Sequence, residues 1–226
     1  MTQTNTDKPA QTNPSSAALD PLDQLVSGLD KALRTLSGNV TAARQNPAQE
    51  VDEGALDPDQ TAHAAGLMRV NHAGEICAQA LYEGQALTAR SDSARQTLLD
   101  AAAEERDHLA WCRQRLDELD ARPSLLDPVF YGASFVMGAL TGLAGDKVSL
   151  GFVEATEDQV VQHLDHHLGE LPEDDQKSRA ILQQMRQDEA EHGAQALASG
   201  GEAFTPVVKG AMSLLSKVMT KTTYRI

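Results

Sequence analysis

The sequence predicts an all-α protein. Apolar residues recur at intervals of three and four over long stretches, Pro and Gly fall at the ends of those stretches, and no alternating strand pattern interrupts them. Two copies of Glu-x-x-His, Glu105 with His108 and Glu189 with His192, lie inside the stretches. In a helix, residues three apart share a face, so each pair can aim a carboxylate and an imidazole at one spot.

Residues 1–19 are rich in Thr, Gln, Asn, Ser and Pro, a composition that predicts disorder. Asp20 and Pro21 then open a short amphipathic helix whose Leu22, Leu25, Leu29, Ala32, Leu33 and Leu36 form one stripe ending near Gly38. Packing against the main body is its expected role, with docking to a partner or a membrane as the alternative. Residues 39–53 read as linker, so residues 1–55 form an N-terminal extension and 56–226 the functional domain.

Asp57-Pro58 starts a long helix that runs to about Arg90, and Ser91 or Asp92 caps a second that Pro123 stops after Arg122. Residues 125–144 are apolar nearly all round and carry Gly132, Gly138 and Gly142. This segment is expected to lie in a membrane surface, with Phe135 and Met137 at the entry, or to line an oily pocket; a buried crossover is the other reading. A third long helix spans Asp146 to Leu171, a fourth begins at Pro172 and ends at Ser199-Gly200-Gly201, and Thr205-Pro206 opens a last amphipathic helix. The basic end of that helix, Lys217, Lys221 and Arg225, suits plain surface or anionic lipid.

Bulk properties exclude several functions. A net charge of −14 argues against a nucleic-acid partner held through phosphates. Cys77 and Cys112 form no metal-type or disulfide spacing, which favours a reducing compartment, and Cys112 falls on an apolar stripe. No secretory signal, no apolar run of the roughly 18 residues needed for a span, and no dinucleotide fingerprint is present.

The chemistry lies in where the acids fall. At about 100° per residue, Glu105 sits among Leu98, Ala101, Ala102, Leu109, Cys112 and Leu116, and Glu189 among Leu182, Met185 and Ala196. Glu75 shares its face with Met68, Ala78 and Tyr82, and Glu157 with Leu150, Val153, Val160 and Leu164. Carboxylates on core-facing stripes need a cation, because an unpaired buried charge costs several kcal/mol. One Glu on each of two helices and Glu-x-x-His on the other two is the dimetal pattern of a ferritin-like four-helix bundle, here with an additional apolar crossover helix and a C-terminal amphipathic helix. Four carboxylates offset two divalent cations, and imidazole nitrogens suit iron or manganese.

The stretches Arg69-Val70-Asn71-His72-Ala73-Gly74-Glu75, Glu104-Glu105-Arg106-Asp107-His108, Val153-Glu154-Ala155-Thr156-Glu157-Asp158 and Asp188-Glu189-Ala190-Glu191-His192 resemble the demethoxyubiquinone hydroxylase family of ubiquinone biosynthesis, over roughly residues 60–226. The resemblance implies a di-iron monooxygenase that hydroxylates a polyprenylated demethoxy-benzoquinone ring with O₂ and electrons from NADH. It implies Glu75, Glu105, His108, Glu157, Glu189 and His192 as ligands of two iron ions, with Glu105 or Glu189 bridging, and His163 as a residue that orients a ligand. Its implied setting is the cytoplasmic face of the bacterial inner membrane, held peripherally, with other ubiquinone-biosynthesis proteins as partners. His166 and His167 are expected at the surface. The alternative is another ferritin-like dimetal protein of ferroxidase, peroxidase or manganese catalase type.

Overall fold

The computed structural model describes residues 21–226, so the expectation for residues 1–19 lies outside it. The described residues form helices α1 (Pro21–Ser37), α2 (Pro58–Thr88), α3 (Asp92–Glu118), α4 (Asp127–Ala144), α5 (Asp146–Glu170), α6 (Gln176–Ala198) and α7 (Pro206–Thr223), and no strand. Local chemistry sets their ends. Asp57 and Gln60 cap α2 reciprocally: the Asp57 carboxylate accepts the Gln60 N–H and the Gln60 amide oxygen accepts the Asp57 N–H, each at 2.9 Å. The α3 helix stops at Glu118, before the expected Arg122. Asp120 takes the left-handed conformation at φ 51°, and the Ala121 N–H returns to the Leu116 carbonyl at 2.8 Å, so a helix-end motif acts ahead of Pro123. The α6 helix starts later than Pro172 because buried Asp175 caps the Ser178 N–H at 2.9 Å.

Helices α2, α3, α5 and α6 make the bundle, paired as hairpins α2–α3 and α5–α6. Its core has two main apolar clusters. One gathers Leu67, Met68, Trp111, Cys112, Leu164, Leu182 and Met185, and the other Leu81, Tyr82, Leu98, Leu150, Val153 and Ala196. On every one of the four helices, the acids singled out in the sequence fall between the residues given to the first cluster and those given to the second. The polar layer is therefore clamped midway along the bundle by close-packed hydrocarbon.

The linker expected over residues 39–53 is instead a strap packed on the body: Ala48 is buried, and Glu53 pairs with the buried guanidinium of Arg115. Arg115 also binds Asp175 at 2.9 Å and Glu118 at 3.0 Å, joining the strap, the end of α3 and the start of α6. The α1 helix docks through Ala32 and Leu36 on Ile76 and Tyr131, leaving Val26, Leu29 and Leu33 exposed.

The α4 segment is one continuous helix in which Gly138 and Gly142 are packing surfaces and Gly132 is open. Cβ atoms at Gly84 and Gly138 would collide with the Phe135 and Leu81 carbonyl oxygens, so these positions let α2 and α4 approach backbone to backbone. Phe135 is half-buried against Ile76, Leu109 and Tyr131 and does not join the open face expected for it. That face is made by Leu125, Val129, Val136, Met137, Leu140 and Leu143, all exposed. Among the described residues no helix is long and apolar enough to cross a membrane.

This packing predicts that Gly138→Ala lowers the unfolding free energy by about 1–3 kcal/mol through overpacking. Gly132→Ala, where a Cβ meets nothing within 4 Å, should leave it unchanged or slightly raised. Urea denaturation of the two variants distinguishes them; equal midpoints would contradict the close approach.

Candidate metal centre

All six residues singled out as ligands are buried in one cluster: Glu75, Glu105, His108, Glu157, Glu189 and His192. The His108 Nδ1 lies 3.3 Å from Glu105 Oε2, 3.0 Å from Glu189 Oε1 and 3.6 Å from Glu75 Oε2. The His192 Nδ1 lies 3.1 Å from Glu189 Oε2 and 3.5 Å from Glu105 Oε1. Glu105 and Glu189 thus each present one oxygen to either imidazole, which is how a bridging carboxylate would be disposed. Glu75 stands at the His108 end, and Glu157 is buried near enough to Glu189 and His192 for their charges to act on it. One donor atom each from Glu75, Glu105, His108 and Glu189 falls within 4.8 Å of the others, a spread that one metal ion could gather.

Electrostatics identify what the cluster needs. Burial pushes the Glu75 and Glu157 carboxyls well above the ordinary range, reinforced by the neighbouring acids. Burial alone would also raise Glu105, but hydrogen bonds from His108 and His192 hold it well below that range. The imidazoles move the opposite way: burial disfavours their charge, yet the carboxylates around them raise His108 strongly and push His192 up to about 12. Protons on two imidazoles thus balance the acids when no cation is bound, and a metal must displace them, so uptake releases protons. Hard oxygen donors with two imidazoles, sealed between apolar layers, fit divalent first-row ions.

The outer nitrogens of the imidazoles cross to the opposite motif. His108 Nε2 meets Asp188 Oδ2 at 2.9 Å, and His192 Nε2 faces Glu104 Oε2 at 3.4 Å. Sequence reasoning left Asp188 and Glu104 without a role, although an acid directly before each Glu-x-x-His was the available signal. It also missed Arg44, which lies in the presumed linker and binds Asp107 and Asp188, each at 2.8 Å.

His163 makes no recorded hydrogen bond to any of the six. It packs against His167 with ring centroids 3.9 Å apart and the rings tilted by 58°, and it lines a cavity. His167, expected at the surface, is buried, and its Nδ1 lies 3.1 Å from Asn71 Oδ1; His166 is exposed as expected. Burial and the neighbouring imidazoles depress His163 to about 4 and His167 to about 3, so both are neutral near pH 7.

That cavity, about 480 Å³, runs between α2, α4, α5 and α7 and includes Glu75 and Glu157 in its wall. The rest is mostly apolar, with Leu81, Phe130, Met137, Phe152, Met212 and Met219 among its lining residues. The α7 helix is clamped over it by Lys209 on Glu154 (2.7 Å) and Asp158 (3.1 Å), and the following Tyr224 by His63 (2.7 Å) and Arg69 (2.9 Å).

Fold and cluster together define a ferritin-like helical bundle with a buried Glu/His group able to hold a metal. The chain belongs to the family described as Ubiquinone biosynthesis protein COQ7, whose profile matches residues 62–223. It is similar to the 3-demethoxyubiquinol 3-hydroxylase of Pseudomonas paraeruginosa (strain DSM 24068 / PA7), 57% identical over 209 residues covering 91% of this chain and 96% of that protein. The protein of the same name from Azotobacter vinelandii is 59% identical over 207 residues, covering 90% and 95%. That from Stutzerimonas stutzeri is 56% identical over 216 residues, covering 94% and 100%.

A stability effect follows from Glu157. Its carboxyl titrates above the ordinary value of 4.5, so the folded chain binds a proton that the unfolded chain has released, and stability falls as pH rises above about 4.5. In chelator-treated protein, Glu157→Gln should therefore raise the melting temperature at pH 8 more than at pH 5, while lowering metal uptake. A melting temperature that the substitution lowers at both pH values would contradict this.

Proposed function

We propose that the protein is a di-iron monooxygenase that hydroxylates the ring of a polyprenylated demethoxy-benzoquinol in ubiquinone biosynthesis. The observation that carries this reading is the apolar cavity that reaches Glu75 and Glu157: it gives a hydrophobic ring and the first part of its tail a dry route to the cluster. The names and high identity of the curated relatives support the same reaction.

Glu75, Glu105, His108, Glu157, Glu189 and His192 would hold two iron ions. An iron pair supplies the reductive activation of O₂ that an aromatic carbon requires. The balance is one oxygen atom into the ring and one into water, with two protons and two electrons, the electrons coming from NADH. The chain's own residues prepare the surroundings. Leu81, Phe152 and Met212 exclude water, while Asn71 Nδ2 and His163 Nε2, both buried and without a partner, offer polar atoms from residues that line the cavity.

A prenylated ring has to be collected from a bilayer. The exposed face of α4, with Val129, Val136, Leu140 and Leu143, and Leu125 just before it, supports peripheral seating on a membrane surface, which for this chemistry is the cytoplasmic face of the inner membrane. Other proteins of ubiquinone biosynthesis complete the proposed setting as partners.

Two experiments test the reading. Iron-loaded protein given a short-tailed demethoxyquinol, reductant and ¹⁸O₂ should yield a product carrying one ¹⁸O atom. Turnover of Fe²⁺ or peroxide with the quinol untouched would favour the ferroxidase, peroxidase or catalase alternatives. Val136→Asp with Leu140→Asp should abolish sedimentation with liposomes while leaving iron content intact, and undiminished sedimentation would contradict the proposed seat.

A further inference from the structure

The strap of residues 39–56 lies outside the region matched by the family profile, yet it reaches the outer side of the cluster. The Ala43 N–H donates to Asp107 Oδ1 at 2.6 Å, Arg44 Nε to Asp107 Oδ2 at 2.8 Å and Arg44 Nη2 to Asp188 Oδ2 at 2.8 Å. The guanidinium carbon stands 4.9 Å from the centroid of the Trp111 ring, within the range of a cation–π contact. Further along, Glu53 is tied to Arg115, so the strap is fixed on both sides of Ala48, which is itself buried.

Asp188 Oδ2 is shared, since it meets His108 Nε2 at 2.9 Å as well as Arg44. A guanidinium is a donor at every accessible pH, so Asp188 stays an acceptor toward both neighbours. Arg44 Nη2 also stands 3.3 Å from His108 Nε2, but Asp188 is the nearer partner and accepts, so when a metal displaces the Nδ1 proton the remaining ring hydrogen stays on Nε2 and the freed Nδ1 lone pair faces Glu75, Glu105 and Glu189. The second imidazole has no such support. His192 Nε2 faces Glu104 at 3.4 Å without forming a hydrogen bond, and the Glu104 side chain is 45% exposed. Arg44 reaches Glu104 only at 3.9 Å.

We infer that Arg44 is a positioning residue that locks His108 through Asp188, making the two metal positions unequal: rigid at Glu75 and His108, adjustable at Glu157 and His192. This rests on the metal reading of the cluster given above. Its consequence is a division of labour. The braced His108 would hold an ion firmly, while His192, without such a brace, is freer to move as the cavity fills.

Cobalt(II) is a suitable probe, because its visible absorption reports ligand geometry and a competing chelator gives affinity for each step without any turnover. The full-length protein should bind two cobalt ions in separable steps, the tighter abolished by His108→Ala. Arg44→Ala should weaken that tighter step by about 10–100-fold and shift its spectrum, leaving the weaker step within about twofold. Arg44→Lys restores the charge without the two-pronged geometry and should recover only part of the loss; it also carries the test if the alanine variant folds poorly. Melting of the chelated proteins separates a merely structural role. A lowered melting temperature with both steps weakened equally, or unchanged affinities in both Arg44 variants, would overturn the inference. Wild-type protein that binds no cobalt would instead overturn the metal reading beneath it.

Discussion

The structure depends on the burial of four glutamates and two histidines in one polar layer between two apolar clusters. Removing a carboxylate from water costs several kcal/mol unless a partner replaces the lost hydration. Here the partners are the imidazoles, and each protein-only solution leaves something strained: Glu75 and Glu157 are driven toward their neutral forms while both imidazoles are driven toward charge. Divalent ions would resolve that conflict, because they bring positive charge without occupying a hydrogen-bond donor. The hydrocarbon on either side keeps the layer dry and holds the donors in register.

Everything outside the layer serves to close or to open it. Arg115 gathers the strap, the end of α3 and the start of α6, and Arg44 brings the strap to the outer edge of His108. On the opposite flank the enclosure is looser. There α4 contacts α2 through glycines, α7 is clamped at its two ends, and the space left between them is the apolar cavity. The strap covers the cluster through Arg44 and Asp188, and the apolar cavity reaches it at Glu75 and Glu157. The exposed Val129, Val136, Leu140 and Leu143 of α4 lie on the same helix as the cavity residues Phe130 and Met137.

Much of this was legible in the sequence, for a physical reason. Helical periodicity reports which face is buried, so an acid at the centre of an apolar stripe is visible without coordinates; Glu75, Glu105, Glu157 and Glu189 were found that way, and the two imidazoles by their spacing. Helices α2 and α3 were legible because Asp57 and Ser91 are strong start signals, and each caps its helix. What escaped depends on contacts between segments far apart in the chain. Arg44 sits 144 positions from Asp188, in a stretch whose composition reads as linker, and nothing local marks it as an anchor. His167 looked like one of several charged-face histidines until Asn71, 96 positions away, proved to be its partner. Helix ends failed similarly: Asp120 adopts a left-handed turn that overrides the proline signal three residues on. Gly138 and Gly142 of α4 read as breaks because a sequence does not reveal that α2 lies against them.

The donor set of the buried layer calls for a pair of metal ions between its two imidazoles. Diffraction from crystals of iron-loaded protein, with anomalous differences collected on both sides of the iron absorption edge, tests it most directly. The account predicts two peaks inside the bundle, one beside Glu75 and His108 and the other beside Glu157 and His192, with Glu105 and Glu189 between them. Anomalous density confined to the protein surface, or none in the layer despite iron in the crystal, would contradict it.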